Sequence, residues 1–261
     1  MFGRNQLAIL VAEFLGSGAL ALVMLTVQHS TIGLPYFVAL LAGLVLAVMT
    51  VVLGRGGAAH FNPAVTIGMW TVRQIKTVPA VSYIVVQMLG GWVAYYLYTY
   101  FTRTHLTTIG GHYDSHILVA EAVGAFVLTL AWGAVVFGRM VSTQTGALLG
   151  AAYAVAIVVA ASASIGIVNP AVALSMRAFN VFGSMGWGTY ALGPVLGAVI
   201  GFNLYALLFA PESSFVTMAA AVGGRFARPA TTAPASVSTA TTKAAPKRKT
   251  ASRRRTTKRS R

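Results

Sequence analysis

The sequence predicts an all-α membrane protein: six transmembrane helices and two re-entrant half-helices, arranged as an inverted repeat. Three observations lead there. Of 261 residues, 57% are hydrophobic and only 9% are charged, whereas soluble domains carry about a quarter charged residues. Apolar stretches of about 20 residues, each enough to cross a bilayer, recur along the chain. The tripeptide Asn-Pro-Ala occurs twice, as Asn62-Pro63-Ala64 and Asn169-Pro170-Ala171, 107 residues apart and each just after a long apolar segment. One copy is an ordinary turn or helix start; one in the middle of each half signals an inverted repeat. The alternation that a β-barrel needs is absent.

The spans fall at 7–27, 36–54, 80–101, 117–137, 146–163 and 187–209. The first has no small-residue cleavage site and continues as a full span, so it reads as a helix that stays rather than a signal peptide. Residues 62–70 and 169–179 are too short to cross and too apolar for surface loops, and read as half-spans entering from opposite faces. Further landmarks fall at nearly the same offset, 108 for the first pair and 107 for the second. Ala12-Glu13 opens the first span and Ala120-Glu121 the fourth; Gln87-Met88-Leu89-Gly90 aligns with Pro194-Val195-Leu196-Gly197. With three spans per half, repeats at about 5–105 and 115–212 run in opposite directions. Gly193, Gly197 and Gly201, with Gly16-Ser17-Gly18 and Gly90-Gly91, mark where helix backbones approach closely.

The net charge of +15 belongs mostly to one segment. Residues 225–261 hold twelve Lys/Arg and no acid, whereas 1–224 hold seven Lys/Arg and four acids, Glu13, Asp114, Glu121 and Glu212. The chain divides accordingly into a channel-type domain, 1–224, and a basic tail, 225–261, whose Ala/Thr/Ser/Pro-rich composition predicts disorder. The runs Lys247-Arg248-Lys249 and Arg253-Arg254-Arg255 suit an anionic cytoplasmic leaflet; nucleic acid is the less favoured partner. Thr250, Ser252, Thr256 and Thr257 beside them are candidate phosphorylation sites that would weaken lipid attachment. With the N-terminus cytoplasmic, Arg4, Arg55, Arg73, Lys76, Arg139 and the tail lie inside, and only Arg103 and Arg177 outside. The positive-inside rule therefore predicts a multi-pass protein of the cell (plasma) membrane with both termini cytoplasmic. There is no Cys, so no disulfide and no thiol chemistry.

The chemistry of the repeated tripeptide is specific. Pro suits the first helical position, where its missing N–H costs nothing. Asn suits the N-cap, its side-chain oxygen accepting a first-turn N–H. Each amide NH2 then faces away from its helix as a donor, and each half-helix points its positive end at the membrane centre. A water between two donors is held with its hydrogens outward, which breaks a proton relay, and cations meet an unfavourable field. The arrangement fits a pore for small neutral molecules. Irregular backbone at 54–61 and 162–168 is tolerated at this depth only where it lines a cavity or is buried in protein.

Glu13 and Glu121 occupy equivalent positions inside apolar spans, where an unpaired carboxylate is expensive. Anchoring a re-entrant loop through its N–H groups is favoured over a proton relay. His105, His112 and His116 with Asp114 fit no strong ligand spacing, so neither metal nor cofactor is expected. His60 is read as structural rather than as a pH-sensitive group, and Tyr95, Tyr96, Tyr98 and Tyr100 as an interfacial aromatic belt. No nucleophile–base pair points to an enzyme.

Ala12-Glu13-Phe14-Leu15-Gly16, the run Gly57-Ala58-Ala59-His60-Phe61-Asn62-Pro63-Ala64-Val65-Thr66, the second Asn-Pro-Ala and Gly193-Pro194 together resemble the aquaporin (major intrinsic protein) superfamily over about residues 5–210. The resemblance implies six tilted spans, two half-helices, a pore in each protomer, a homotetramer, and passive transport of water or small uncharged solutes. It also places an outer selectivity filter at Ala42, Ile157, Gly166 and Val172. Val172 stands where most of the family has Arg, Ile157 where water-selective members have His, and Ala173 where the glycerol branch has Asp. Arg177 is expected in solvent. The set predicts a wider, more apolar constriction, open to water and to solutes such as glycerol, urea or ammonia. A coupled transporter, or a non-conducting structural member acting through its basic tail, are the alternatives.

Overall fold

A computed structural model describes residues 4–31, 34–54, 59–107, 113–138, 141–178 and 186–211. These lie in a unit spanning Met1–Gly223; the second unit, Gly224–Arg261, which contains the basic tail, lies outside the described residues. Each half has one order: two long helices, a short one, and a third long one. The first half comprises α1 (Arg4–Gln28), α2 (Pro35–Leu53), α3 (Pro63–Thr71) and α4 (Thr77–Thr102). The second comprises α5 (Ser115–Gly138), α6 (Ser142–Ala160), α7 (Pro170–Ser175) and α8 (Leu192–Phe209), the last preceded by a π-helical turn at Trp187–Ala191. Six stretches are long and apolar enough to cross a membrane, and no strand occurs among the described residues. The fold is thus all-α, with six spans and two half-helices.

Local sequence explains where the helices start and stop. Pro35, Pro63 and Pro170 each occupy the first helical position, where the fixed φ favours the helix and no N–H is lost. Both half-helices end alike. Arg73 and Arg177 turn left-handed, at φ 59° and 55°. The next N–H then reaches back five residues, from Gln74 to the Met69 carbonyl and from Ala178 to the Ala173 carbonyl, both at 2.9 Å. That closure satisfies otherwise orphaned carbonyls. It also shortens the second half-helix to Ser175 instead of 179. α6 stops at Ala160, short of the predicted 163, because Ser164 turns back to hydrogen-bond the Ala160 carbonyl. In the last span Pro194 has no N–H to offer the Tyr190 carbonyl, and the wide π turn precedes it.

The long helices pair α1 with α4, α2 with α6 and α5 with α8. Glycine permits each approach. A Cβ on Gly43 would strike the Gly150 carbonyl, and one on Gly150 the Gly43 carbonyl, so α2 and α6 cross backbone to backbone. A Cβ on Gly90 would meet Phe14 O of α1, and one on Gly197 would meet Ala122 O of α5. Large apolar side chains such as Leu7, Leu40, Val81, Val119, Val155 and Leu207 are exposed on all six long helices, far beyond the apolar patches of soluble monomers. This is a surface for lipid. The expected tyrosine belt needs one correction: Tyr98 is buried, its ring 5.6 Å from that of His29, because it shares the inward face of α4 with Gly91 and Ala94. Tyr96 and Tyr100 are exposed.

Candidate functional site

The two Asn-Pro-Ala segments meet. Asn62 (φ −154°, ψ 118°) and Asn169 (φ −150°, ψ 111°) are extended N-caps. Their Oδ1 atoms accept from Ala64 N at 2.9 Å and Ala171 N at 3.0 Å. The other ends of the amides cross between halves. Asn62 Nδ2 donates to Val168 O and Asn169 Nδ2 to Phe61 O, both at 2.9 Å. Each NH2 thus donates away from its own helix, toward the opposite loop. One hydrogen of each is held by the opposite loop, and one remains for another acceptor. Phe61 and Val168, which supply the accepting carbonyls, have φ 49° and 57°. For a bulky or β-branched residue this region is strained, so the loops need outside support.

Glu13 and Glu121 supply it. Glu13 Oε1 accepts from Ala59 N at 2.9 Å and His60 N at 3.0 Å, and Oε2 from Phe61 N at 2.8 Å and Gln87 Nε2 at 2.7 Å. Glu121 Oε1 accepts from Ile167 N at 2.9 Å and Ser164 Oγ at 2.6 Å, and Oε2 from Val168 N at 2.5 Å. Both carboxylates are fully buried, and charge-assisted bonds of this kind are about twice as strong as neutral ones. Each half thus has one carboxylate on one left-handed loop. Gln87, noted only as a repeat landmark, belongs to the same network and also donates to Thr66 Oγ1 at 3.0 Å. Its partner position is Pro194, so only the first half carries this brace.

His60 is buried, with Nδ1 3.1 Å from Thr66 Oγ1 and its ring edge-on to Tyr83 and Trp132. The four residues assigned to an outer filter are all buried. Gly166 (φ 68°) packs on Ile157: a Cβ there would stand 3.0 Å from Ile157 Cγ2. Ala42 and Val172 belong to the same apolar cluster as Ile157, on α2 and α7. Ala42, Ile157 and Val172 expose no surface at all. Arg177 does not turn back to fill the gap. It is exposed, donates to Tyr95 Oη at 3.3 Å and lies 5.8 Å above that ring.

Two buried residues with polar side chains escaped the sequence reading. Tyr153 is among the largest fully buried side chains, four residues before Ile157 on α6. Thr50, on the matching face of α2, has the one buried side-chain polar atom without a hydrogen-bond partner among the described residues. The available signal was the four-residue spacing of Ala42, Leu46 and Thr50 and of Leu149, Tyr153 and Ile157, which sets each trio on one helix face. His105 and His116 are exposed, His112 lies outside the described residues, and Asp114 caps α5 by accepting from His116 N at 2.8 Å. No group of metal-ligating side chains occurs among the described residues.

The comparisons with known proteins agree with this architecture. A family model described as Major intrinsic protein matches residues 4–205. Aquaporin AqpM of Methanothermobacter thermautotrophicus is 27% identical over 229 residues, covering 75% of this chain and 91% of that protein. Aquaporin Z of Photorhabdus laumondii is 28% identical over 226 residues, covering 78% and 98% respectively. In fold, the aquaglyceroporin from Plasmodium falciparum matches with a TM-score of 0.64 at 17% identity, covering 80% of this chain and 99% of its own.

Proposed function

The chain belongs to the major intrinsic protein family, and from that premise we propose that Asn62 and Asn169 form the central station of a passive pore for water and small neutral solutes. As a member of this family it is a multi-pass membrane channel and not an enzyme. The observation that carries the finer reading is the reciprocal pair of bonds from Asn62 Nδ2 to Val168 O and from Asn169 Nδ2 to Phe61 O. Those bonds fix both amides and leave each one hydrogen to donate. A water accepting from both is oriented, and a file of waters through it cannot pass a proton along. The carboxylates of Glu13 and Glu121 anchor the two loops; engaged by backbone N–H groups, they are poor relays.

Ala42, Ile157, Gly166 and Val172 form the outer constriction in this reading. None offers a charge, so neutral solutes meet an apolar wall rather than a cationic donor. Glycerol, urea and ammonia are the candidate solutes beside water. Assembly as a homotetramer, both termini in the cytoplasm, placement in the plasma membrane and attachment of the basic tail to anionic lipid complete the proposal, each resting on the resemblance or on charge.

The test is osmotic shock of proteoliposomes followed by light scattering. Shrinkage in an impermeant sugar faster than in empty vesicles is expected, with re-swelling when glycerol or urea is the osmolyte. Shrinkage no faster than in empty vesicles refutes the channel reading.

A further inference from the structure

We propose that Tyr153, one helical turn deeper than Ile157, sets the size limit of the outer half of the pore; the inference rests on the channel reading above. Position is the first ground. Leu149, Tyr153 and Ile157 are buried at four-residue spacing on one face of α6, and one such step carries a side chain about 6 Å along the axis. The Tyr153 hydroxyl donates to Ile167 O at 3.0 Å and lies 3.4 Å from Met24 Sδ of α1. It also lies beside the Asn169 side chain. The ring therefore reaches from α6 to the loop just before the second Asn-Pro-Ala, between the constriction and the asparagine pair.

Size and polarity are the second ground. The constriction residues Ala42, Ile157, Gly166 and Val172 are small or aliphatic. Among the described residues Tyr153 is the bulkiest of the fully buried side chains, and it stands one turn below Ile157 on α6. The hydroxyl also occupies a loop carbonyl. A solute with several hydroxyls needs such acceptors in exchange for its water shell, and the desolvation it cannot recover raises its barrier. A single water loses less. The matching residue in the first half is Leu46, which has neither ring nor hydroxyl. The restriction therefore belongs to the outer half alone, and Tyr153 is a specificity-determining residue that discriminates water from polyols.

The experiment compares the wild type, Tyr153→Phe and Tyr153→Val in proteoliposomes, with Tyr205→Phe as a control outside the site. Water permeability is measured first, by shrinkage in sucrose, then glycerol permeability by re-swelling. For Tyr153→Val the glycerol-to-water ratio should rise about tenfold, the change that a barrier lower by about 1.4 kcal/mol produces. Tyr153→Phe keeps the ring and frees the Ile167 carbonyl, so its ratio should rise by less, while Tyr205→Phe matches the wild type. An unchanged ratio in both Tyr153 variants with water conduction intact overturns the inference. If Tyr153→Val does not yield a monodisperse protein, an unchanged Tyr153→Phe overturns it alone. A wild type that conducts water no faster than empty vesicles is a different result, and overturns the channel reading on which this one stands.

Discussion

A buried carboxylate with nothing cationic beside it is ordinarily a liability, and this chain carries two. What makes Glu13 and Glu121 tolerable is the strain next to them. Ala59, Phe61 and Val168 have φ of 113°, 49° and 57°, and such residues cost about 1–3 kcal/mol each unless the surroundings hold them. The same twist that strains the loops turns their N–H groups inward as a cluster of donors, and a carboxylate offers enough lone pairs to accept them all. Glu13→Gln tests this balance. Whichever way the new amide is turned, its NH2 faces at least one loop N–H that had an oxygen before. The variant should lose about 1–3 kcal/mol, the cost of a buried unsatisfied donor, read from thermal unfolding in detergent micelles. Unchanged stability would mean that the loop holds its shape without the charge. The glutamates were legible in the sequence because both stand out in apolar spans at one offset. Gln87 and Tyr153 were not, because a polar atom on an otherwise apolar helix face shows its partner only after the loops are placed.

At the scale of helices, apolar length located the six spans and the two Asn-Pro pairs the half-helices, since a span must be long and Pro favours the first turn of a helix. The ends were less legible. The closures at Arg73 and Arg177 use left-handed conformations that arginine seldom adopts, and nothing in composition marks them. Tyr98 was misjudged for a related reason: a run of tyrosines looks like a belt until the helix face of each is known. The glycines carried more information. Gly43 and Gly150 lie 107 residues apart, and each opposes the other's carbonyl, so the α2–α6 crossing sits near the centre of the repeat. Gly43→Ala should therefore cost about 1–3 kcal/mol, the usual penalty for overpacking, although alanine is the better helix former. A melting temperature equal to or above that of the wild type would show that the crossing has room to spare.

For the whole molecule, one property is set by charge rather than by packing: which way the bundle faces. The seven Lys/Arg of residues 1–224 are few enough to count one by one. Arg73 and Lys76 flank the turn between α3 and α4, whereas Arg103 ends α4 at the other side of the membrane. With three spans per repeat, fixing one connection fixes all the others. The positive-inside rule predicts an inside that gathers Arg4, Arg55, Arg73, Lys76, Arg139 and the basic tail, and an outside that keeps Arg103 and Arg177. Lys and Arg near the ends of spans resist translocation, and this asymmetry predicts orientation better than total charge does. The chain contains no cysteine, so a single one can be introduced without a background of native thiols. Gln74 and Thr104 are both exposed and lie at opposite ends of α4. In intact cells a membrane-impermeant maleimide should label Thr104→Cys and leave Gln74→Cys unlabelled until the membrane is permeabilised. Labelling in the reverse order would invert the bundle, place the basic tail outside, and remove the anionic cytoplasmic leaflet as its partner.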